Sequence, residues 1–233
     1  MLFIEKGAEP RSLTEYRLNK RNRFEGQNIQ PAYSTMPTYI KDEIRERLLQ
    51  EQGHLCAYCM RRLKDKESVK IEHWKAEKML SEDERLDYQN MLGVCTGRSG
   101  KDIGFSRRQH ETCDQHRGSV PLTVDPKSKD MISTIKYSTA SGEISSSNVK
   151  IDYDLKHTLN LNCGAPHFLP ENRKAVLDTV RKIIDKQGQG GTWKKSTLIK
   201  IRRHYQTRNL KGELPEYAGI VLWYIDTRLT RAK

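Results

Sequence analysis

The arrangement of four cysteines constrains the fold of this chain more than any other feature. Two of them form a close pair and two stand alone. Cys56 and Cys59 form a Cys-x-x-Cys pair, and Cys95 and Cys113 follow at wide spacing. Two thiolates on one tight turn can occupy two corners of the tetrahedron that Zn²⁺ prefers, and two further thiolates complete it. The pattern therefore predicts a closed structural zinc site that ties distant segments of the chain together.

The sequence leaves alternatives to this zinc site open. A Cys-x-x-Cys pair also occurs in thioredoxin-type redox motifs, but those link a strand to a helix, whereas a helical pattern precedes this pair. Four ordinary buried thiols are the simplest alternative. The loop between Cys95 and Cys113 is 17 residues long, which makes His110 a substitute ligand. The fifth cysteine, Cys163, is left over, and we expect it to be a small buried side chain.

The charge of the chain favours a polyanionic partner. Its 233 residues carry a formal net charge of +12, and residues 171–233 contain 15 Lys and Arg against 6 Asp and Glu. Nucleic acid is the first candidate, and solvated helix faces are the alternative explanation. No apolar run reaches the roughly 18 residues of a membrane span, and residues 1–17 do not resemble a signal peptide. We therefore expect a cytoplasmic protein without a membrane partner.

Hydrophobic periodicity divides the chain into three predicted parts. Residues 1–36 form an irregular N-terminal arm with one short helix. Residues 37–150 form a module that contains four of the five cysteines, and residues 151–233 form a mainly helical C-terminal module. A weak linker is predicted over residues 145–147, close to the second boundary.

Local signals predict the elements that surround the cysteines. A helix capped by Thr38 ends near Gly53 and leads to the Cys-x-x-Cys pair. Residues 69–73 favour a strand, and the Ser-x-x-Glu pattern at residues 81–84 is typical of a capping box that opens a helical turn. Alternation around residues 132–144 indicates a hairpin. The expected fold class is therefore α+β.

A Glu-His pair lies at the end of the predicted strand, inside the cysteine frame. Hydrolysis of a phosphodiester needs a base that deprotonates water and a cation that stabilises charge on the phosphate. His73 suits the base, because imidazole titrates near neutral pH. Glu72 can bind a divalent ion through oxygen, as Mg²⁺ prefers. Taken alone, the pair is more simply a surface contact, but its place between the cysteines favours catalysis.

Together these motifs resemble the HNH (ββα-metal) endonuclease superfamily. They are Cys-x-x-Cys at 56–59, Glu-His at 72–73, Tyr-x-Asn-x-Leu-x-x-Cys at 88–95 and Cys-Asp-x-x-Arg at 113–117. The resemblance implies a zinc-stapled ββα-metal nuclease module followed by the helical module.

The resemblance also implies a role for each matching residue. His73 corresponds to the general base, and Glu72 to an acidic ligand of a catalytic Mg²⁺ or Mn²⁺ ion. Asn90 corresponds to the residue that orients the base or braces the finger. Asp114 holds the position of the second metal ligand, and His116 is the competing candidate for it.

Two departures from the family pattern concern these positions. The usual Pro after the first His is absent, and Trp74 stands there instead. An Asp rather than a His directly follows the last zinc cysteine. The mechanism implied by the family places structural Zn²⁺ on the four cysteines, away from the reaction. Contacts to the phosphate backbone are expected from four basic residues: Lys101, Arg107, Arg108 and Arg117.

Further segments resemble the PtuB subfamily of these nucleases. They are residues 1–7, 52–59, 125–126, 137–144 and 159–162. The resemblance implies a DNA or RNA substrate and a PtuA-type ATPase partner in anti-phage defence. Such systems occur alone, as Septu, or with a retron reverse transcriptase and its RNA–DNA product. Two alternatives remain: a zinc finger that binds nucleic acid without cutting it, and an adaptor whose C-terminal helices dock on the ATPase.

Overall fold

The computed structural model describes residues 1–18, 31–97, 107–187 and 193–231, and within these ranges it leaves the side chains of residues 107, 108, 187 and 231 undescribed. The described chain is a mixed α/β structure with two small sheets. Its strands are β1 (Lys70–His73), β2 (Met91–Val94), β3 (Ile135–Tyr137) and β4 (Ile144–Ser146). Its α-helices are α1 (Arg11–Leu18), α2 (Thr38–Glu51), α3 (Glu82–Arg85), α4 (Cys113–Arg117), α5 (Lys129–Ser133), α6 (Val149–Tyr153), α7 (Leu169–Gln187), α8 (Lys195–Gln206) and α9 (Ala218–Arg231).

Both sheets are antiparallel pairs. In the first, β1 pairs with β2 so that Glu72 lies opposite Leu92 and His73 lies opposite Met91. In the second, β3 pairs with β4, with Tyr137 opposite Ile144. The prediction of a strand over residues 69–73 and of a hairpin around 132–144 is therefore confirmed.

Helix α2 forms where periodicity predicts it. Ile40, Ile44 and Leu48 recur at helical spacing and are fully buried. The helix starts after Pro37 without a side-chain cap, so Thr38 is its first residue rather than its cap. It ends just before Gly53, whose φ of +60° suits glycine and would strain other residues.

Helix α3 begins as predicted. The side chain of Ser81 accepts a hydrogen bond from the backbone of Glu84, and the Glu84 carboxylate accepts one from the backbone of Ser81. This is the reciprocal arrangement of a capping box. The predicted linker at residues 145–147 is wrong in part, because Ser145 and Ser146 belong to β4. The Ser146 hydroxyl bonds that of Thr134 at 2.7 Å and anchors the strand.

The hydrophobic core continues across the predicted boundary at residue 150. One apolar cluster joins Leu92 and Val94 of β2 to Leu177 of α7, Leu198 of α8 and Val221 of α9. A smaller cluster packs α1 and α2 against the other side of β1. Burial is what drives these segments together, so the part that carries the four clustered cysteines and the helical part share one core. Among the described residues, no helix combines the length and apolar character that crossing a membrane requires.

Candidate active site

The four cysteine sulfurs form one buried cluster. The Sγ atoms are 3.9 Å apart for Cys56 and Cys113, 3.8 Å for Cys59 and Cys95, and 3.7 Å for Cys95 and Cys113. Thiolates bound about 2.3 Å from a central Zn²⁺ lie about 3.8 Å apart in a regular tetrahedron. The cluster therefore fits a structural metal such as zinc.

Backbone hydrogen bonds hold the cysteine turn in place. The amide of Met60 donates to the carbonyl of Cys56 at 3.0 Å, and Met60 takes a positive φ of 63° to close the turn. The amide of Ala57 donates to the carbonyl of Gly93 at 3.0 Å, which docks the turn on β2. The sulfur of Cys56 accepts a further bond from the amide of Cys95 at 3.4 Å.

Neighbouring thiols of the cluster shift the pKa values of Cys56 and Cys113. Burial acts to raise the pKa of Cys56, but hydrogen bonds from the neighbouring thiols hold that pKa well below its ordinary value. Hydrogen bonds from the same cluster raise the pKa of Cys113 well above its ordinary value. One thiolate is therefore favoured within the group, and ionising all four requires a cation between them.

Beside the cysteines, β1, β2 and α4 bring two acidic side chains together. Glu72 comes from β1, and Asp114 from the first turn of α4. Each acid is close enough to act on the other, because Asp114 raises the pKa of Glu72, and both side chains are less than a tenth exposed. The ammonium of Lys70, two residues before Glu72 on the same face of β1, forms an ion pair with Asp114. Carboxylate oxygens are ligands of the kind that Mg²⁺ or Mn²⁺ uses. In this structure the ammonium of Lys70 lies against one of the two carboxylates.

The environment of Glu72 favours its protonated form. Burial is the main reason that the pKa of Glu72 is raised from its ordinary 4.5 to about 9. The hydrogen bond and the charge of Asp114 raise this pKa as well, whereas Arg117 acts in the opposite direction. Two carboxylates this close hold one proton between them unless a cation replaces it.

His73 leaves β1 on the opposite face from Glu72. Its Nε2 atom lies 2.8 Å from the carbonyl oxygen of Arg85, which can only accept, so Nε2 carries a proton. The other nitrogen, Nδ1, lies 3.0 Å from a carboxylate oxygen of Glu77, and the ring of Tyr33 packs edge-on against the imidazole. This tautomer leaves Nδ1 as the nitrogen that can accept a proton.

One cleft reaches both faces of the end of β1. It has a volume of about 290 Å³ and is open to solvent. Glu72, His73, Asp114, Glu77 and Lys70 all line it. A ligand in this cleft can therefore contact the acidic pair and the histidine together.

Asn90 acts as a brace. Its side-chain oxygen accepts a hydrogen bond from the amide of Lys75 at 2.8 Å, and its side-chain nitrogen donates to the Lys75 carbonyl at 3.2 Å. Its own carbonyl accepts from the amide of Trp74 at 2.8 Å. These contacts hold the chain directly after His73.

Arg117 does not have the place expected for a contact to phosphate. Its side chain is 1% exposed and forms an ion pair with Glu72. It also donates to the carbonyls of His73 at 3.1 Å, Trp74 at 2.6 Å and Val120 at 2.7 Å. The prediction is corrected here, because these acceptors use the guanidinium inside the protein, where it clamps the end of β1 to α4.

The two alternative histidine ligands lie elsewhere. Nδ1 of His116 is 3.0 Å from the carbonyl oxygen of Thr158, and His116 does not line the cleft. Nδ1 of His110 is 3.1 Å from the carbonyl oxygen of Ala165, and the four-cysteine cluster forms without it. The geometry therefore favours Asp114 over His116 as a metal ligand, and cysteine over His110. Lys101 and the side chains of Arg107 and Arg108 lie outside the described residues.

Sequence reasoning missed three side chains of the site. Lys70 pairs with Asp114, Glu77 contacts His73, and the Tyr58 hydroxyl donates to Glu72 at 3.3 Å. The Lys-x-Glu spacing of a strand signals Lys70, because residues two apart share a face. The four-residue spacing of His73 and Glu77 suggests a contact only once the turn between them is known.

Comparison with models of known protein families gives no match to this chain, and a search of curated proteins gives no significant match either.

Proposed function

We propose that this protein is a metal-dependent endonuclease of the HNH (ββα-metal) type that hydrolyses phosphodiester bonds in DNA or RNA. One observation carries the proposal: the neighbouring acids Glu72 and Asp114 and the histidine His73 line one open cleft. A four-cysteine cluster beside the cleft, at the ends of the same β-β-α unit, supports the same function.

The residues of the cleft divide the chemistry between them. Nδ1 of His73 takes a proton from the attacking water, while the carbonyl of Arg85 fixes the ring through Nε2. Glu72 and Asp114 would hold the Mg²⁺ or Mn²⁺ ion, which when bound neutralises charge on the phosphate and on the leaving oxygen. Arg117 and Asn90 hold β1 and the following turn so that these groups keep their relative positions.

Lys70 and Glu77 occupy the two sides of the cleft in this structure. Lys70 neutralises Asp114, so a divalent ion that binds the acidic pair must displace its ammonium group. Glu77 lies 3.0 Å from Nδ1 of His73 and is half exposed, so it can turn aside when a substrate approaches. Both side chains are long, and their rearrangement needs no movement of the backbone.

A nuclease assay tests the proposal. Labelled DNA and RNA are incubated with the purified protein in Mg²⁺, and with the His73→Ala variant. Removing a general base typically lowers a rate by about 10²–10⁴-fold, so we expect cleavage to fall by that factor. His157→Ala is the matched control, because His157 is exposed and does not line the cleft. Undiminished cleavage by His73→Ala would contradict this mechanism, whereas binding without cleavage by the wild-type protein would favour the zinc-finger alternative.

We further propose that the protein is the cytoplasmic nuclease subunit of an anti-phage complex with a PtuA-type ATPase. The family resemblance of the sequence motifs supports this proposal. Co-purification of the two chains expressed together tests it, and the presence of a retron reverse transcriptase with its RNA–DNA product in the same complex distinguishes the two kinds of system. An adaptor without nuclease activity would retain complex formation and defence in the His73→Ala variant.

A further inference from the structure

Helix α8 has two different faces. Thr197, Leu198 and Ile201 are buried against the neighbouring helices α7 and α9. The opposite face is exposed along the helix and contains Lys195, Ile199, Lys200 and Arg203. Residues three and four apart lie on the same side of a helix, so these side chains form one continuous surface.

The segment around α8 is rich in basic residues and contains no acidic residue. From residue 193 to residue 211 the sequence has seven Lys or Arg residues and no Asp or Glu. The first turn of α8 contains no acidic residue and no side-chain cap, although cations there oppose the helix dipole. This composition lowers the stability of the helix, which is expected where a surface is used for binding.

Two of the arginines have partners within the protein. Arg202 pairs with Asp226 of α9 at 2.6 Å. Arg208 donates to the carbonyl of Glu51 at 2.7 Å and so caps the end of α2. In the described part of the chain, no carboxylate lies within ion-pair distance of Lys195, Lys200 or Arg203. Those three cations are available to an outside anion.

We infer that the exposed face of α8 binds the phosphate backbone of the nucleic acid, apart from the cleft that would cut it. The inference rests on the proposed nuclease function for its ligand class. Lys and Arg supply most protein contacts to phosphates. Interfaces between proteins are depleted in Lys and are apolar at their centres, whereas Ile199 is the one large apolar residue on this face. The composition therefore favours nucleic acid over an acidic protein partner.

Salt dependence of binding tests the inference. A triple variant, Lys195→Gln with Lys200→Gln and Arg203→Gln, is compared with the otherwise unchanged chain. Both carry His73→Ala and are assayed without added Mg²⁺, so that binding is measured without cleavage. Each phosphate contact contributes about 0.7–0.9 to the slope of log K against log salt. We expect the triple variant to lower that slope by about 2–3 and to weaken binding at least tenfold at 0.1 M salt.

A second triple variant controls for net charge. Lys64, Lys136 and Lys150 are exposed and make no ion pair in the described structure, and changing all three to Gln removes the same charge. We expect its slope to stay close to that of the parent, and circular dichroism checks that both variants fold.

Each outcome bears on a different proposal. Equal slopes for the two triple variants, or no binding by the parent chain, would overturn the role of α8. Unchanged nucleic-acid binding together with loss of a protein partner would assign the face to an acidic protein instead. If the wild-type protein does not cleave nucleic acid but the α8 variant still shows the reduced slope, only the proposed catalysis is overturned.

Discussion

Glu72 is the residue on which the chemistry of this site depends. Its carboxyl group contacts a second carboxyl from Asp114, the guanidinium of Arg117 and the hydroxyl of Tyr58. Burial and the neighbouring acid favour the protonated form of Glu72, Arg117 favours its carboxylate, and a cation that binds both acids can replace the proton. A metal ion that binds here therefore competes with a proton at Glu72 and with the ammonium of Lys70 at Asp114.

The raised pKa of Glu72 predicts how the stability of the protein without a divalent ion in the cleft depends on pH. In the unfolded chain Glu72 loses its proton near pH 4.5, but in the folded chain it keeps the proton up to about pH 9. The folded state thus binds more protons between these values, and its stability falls as pH rises through this window.

Thermal unfolding of the zinc-bound protein without Mg²⁺, followed from pH 5 to pH 9, measures this dependence. We expect Glu72→Gln to remove part of the decline, because the amide does not titrate. Comparing the variant with wild type separates the contribution of Glu72 from the contributions of other acids. One of these is Glu84, whose pKa is lowered to about 2 by hydrogen bonds from Ser81 and Lys75. Parallel curves for wild type and Glu72→Gln would contradict the assignment.

At the scale of elements, the cysteine cluster fixes the short pieces that carry the site. Strands β1 and β2 have four residues each and α4 has five, and elements this short are marginal on their own. Cys95 follows β2 directly, and Cys113 opens α4 with a φ of 58°. A metal ion bound to the sulfurs would therefore hold Asp114 in position against Glu72.

Removing one cysteine tests this dependence. Structural zinc contributes about 10–16 kcal/mol of apparent binding energy, which is comparable to the whole stability of a domain. We expect Cys113→Ala to lose bound zinc and its cooperative thermal transition. Cys163→Ala is the matched control, because Cys163 is also buried but lies outside the cluster. Its cost should be about 1 kcal/mol, with zinc content by mass spectrometry unchanged. A folded Cys113→Ala protein would show that the metal is not structural.

The sequence predicts the elements better than their contacts. Helix α2, strand β1 and the capping box at Ser81 depend on local periodicity and hydrogen bonding, which the sequence displays directly. The cysteine cluster was also predictable, because metal chemistry limits what four cysteines do. Arg117 was misplaced because burial depends on the whole fold. Its partners are backbone carbonyls, which no sequence pattern marks.

At the scale of the whole molecule, one core joins the site to the C-terminal helices. Leu92 and Val94 on β2 belong to the same apolar cluster as Leu198 and Val221. Deleting the helices would expose that core, so truncation cannot separate cutting from binding. Point variants in the cleft and on α8 separate them, because neither set of variants removes an apolar side chain of the core.

Opposite charges are placed on these two surfaces. The cleft holds a pair of acids that suits a divalent cation, and α8 holds uncompensated bases that suit phosphates. A nuclease that binds its substrate backbone on a separate basic surface can position it without placing lysines and arginines next to the metal ligands. Under the proposed function, the basic surface would bind the substrate and the part held by the cysteines would cleave it.

Divalent-ion binding by the acidic pair tests the central claim most directly. Titration of the zinc-loaded protein with Mn²⁺, followed by electron paramagnetic resonance, is compared for wild type, Asp114→Asn and the exposed control Asp130→Asn. We predict one additional ion per chain in wild type and control, and at least tenfold weaker binding in Asp114→Asn, with cleavage falling in parallel. Equal Mn²⁺ affinity in all three proteins would contradict a metal site at Glu72 and Asp114.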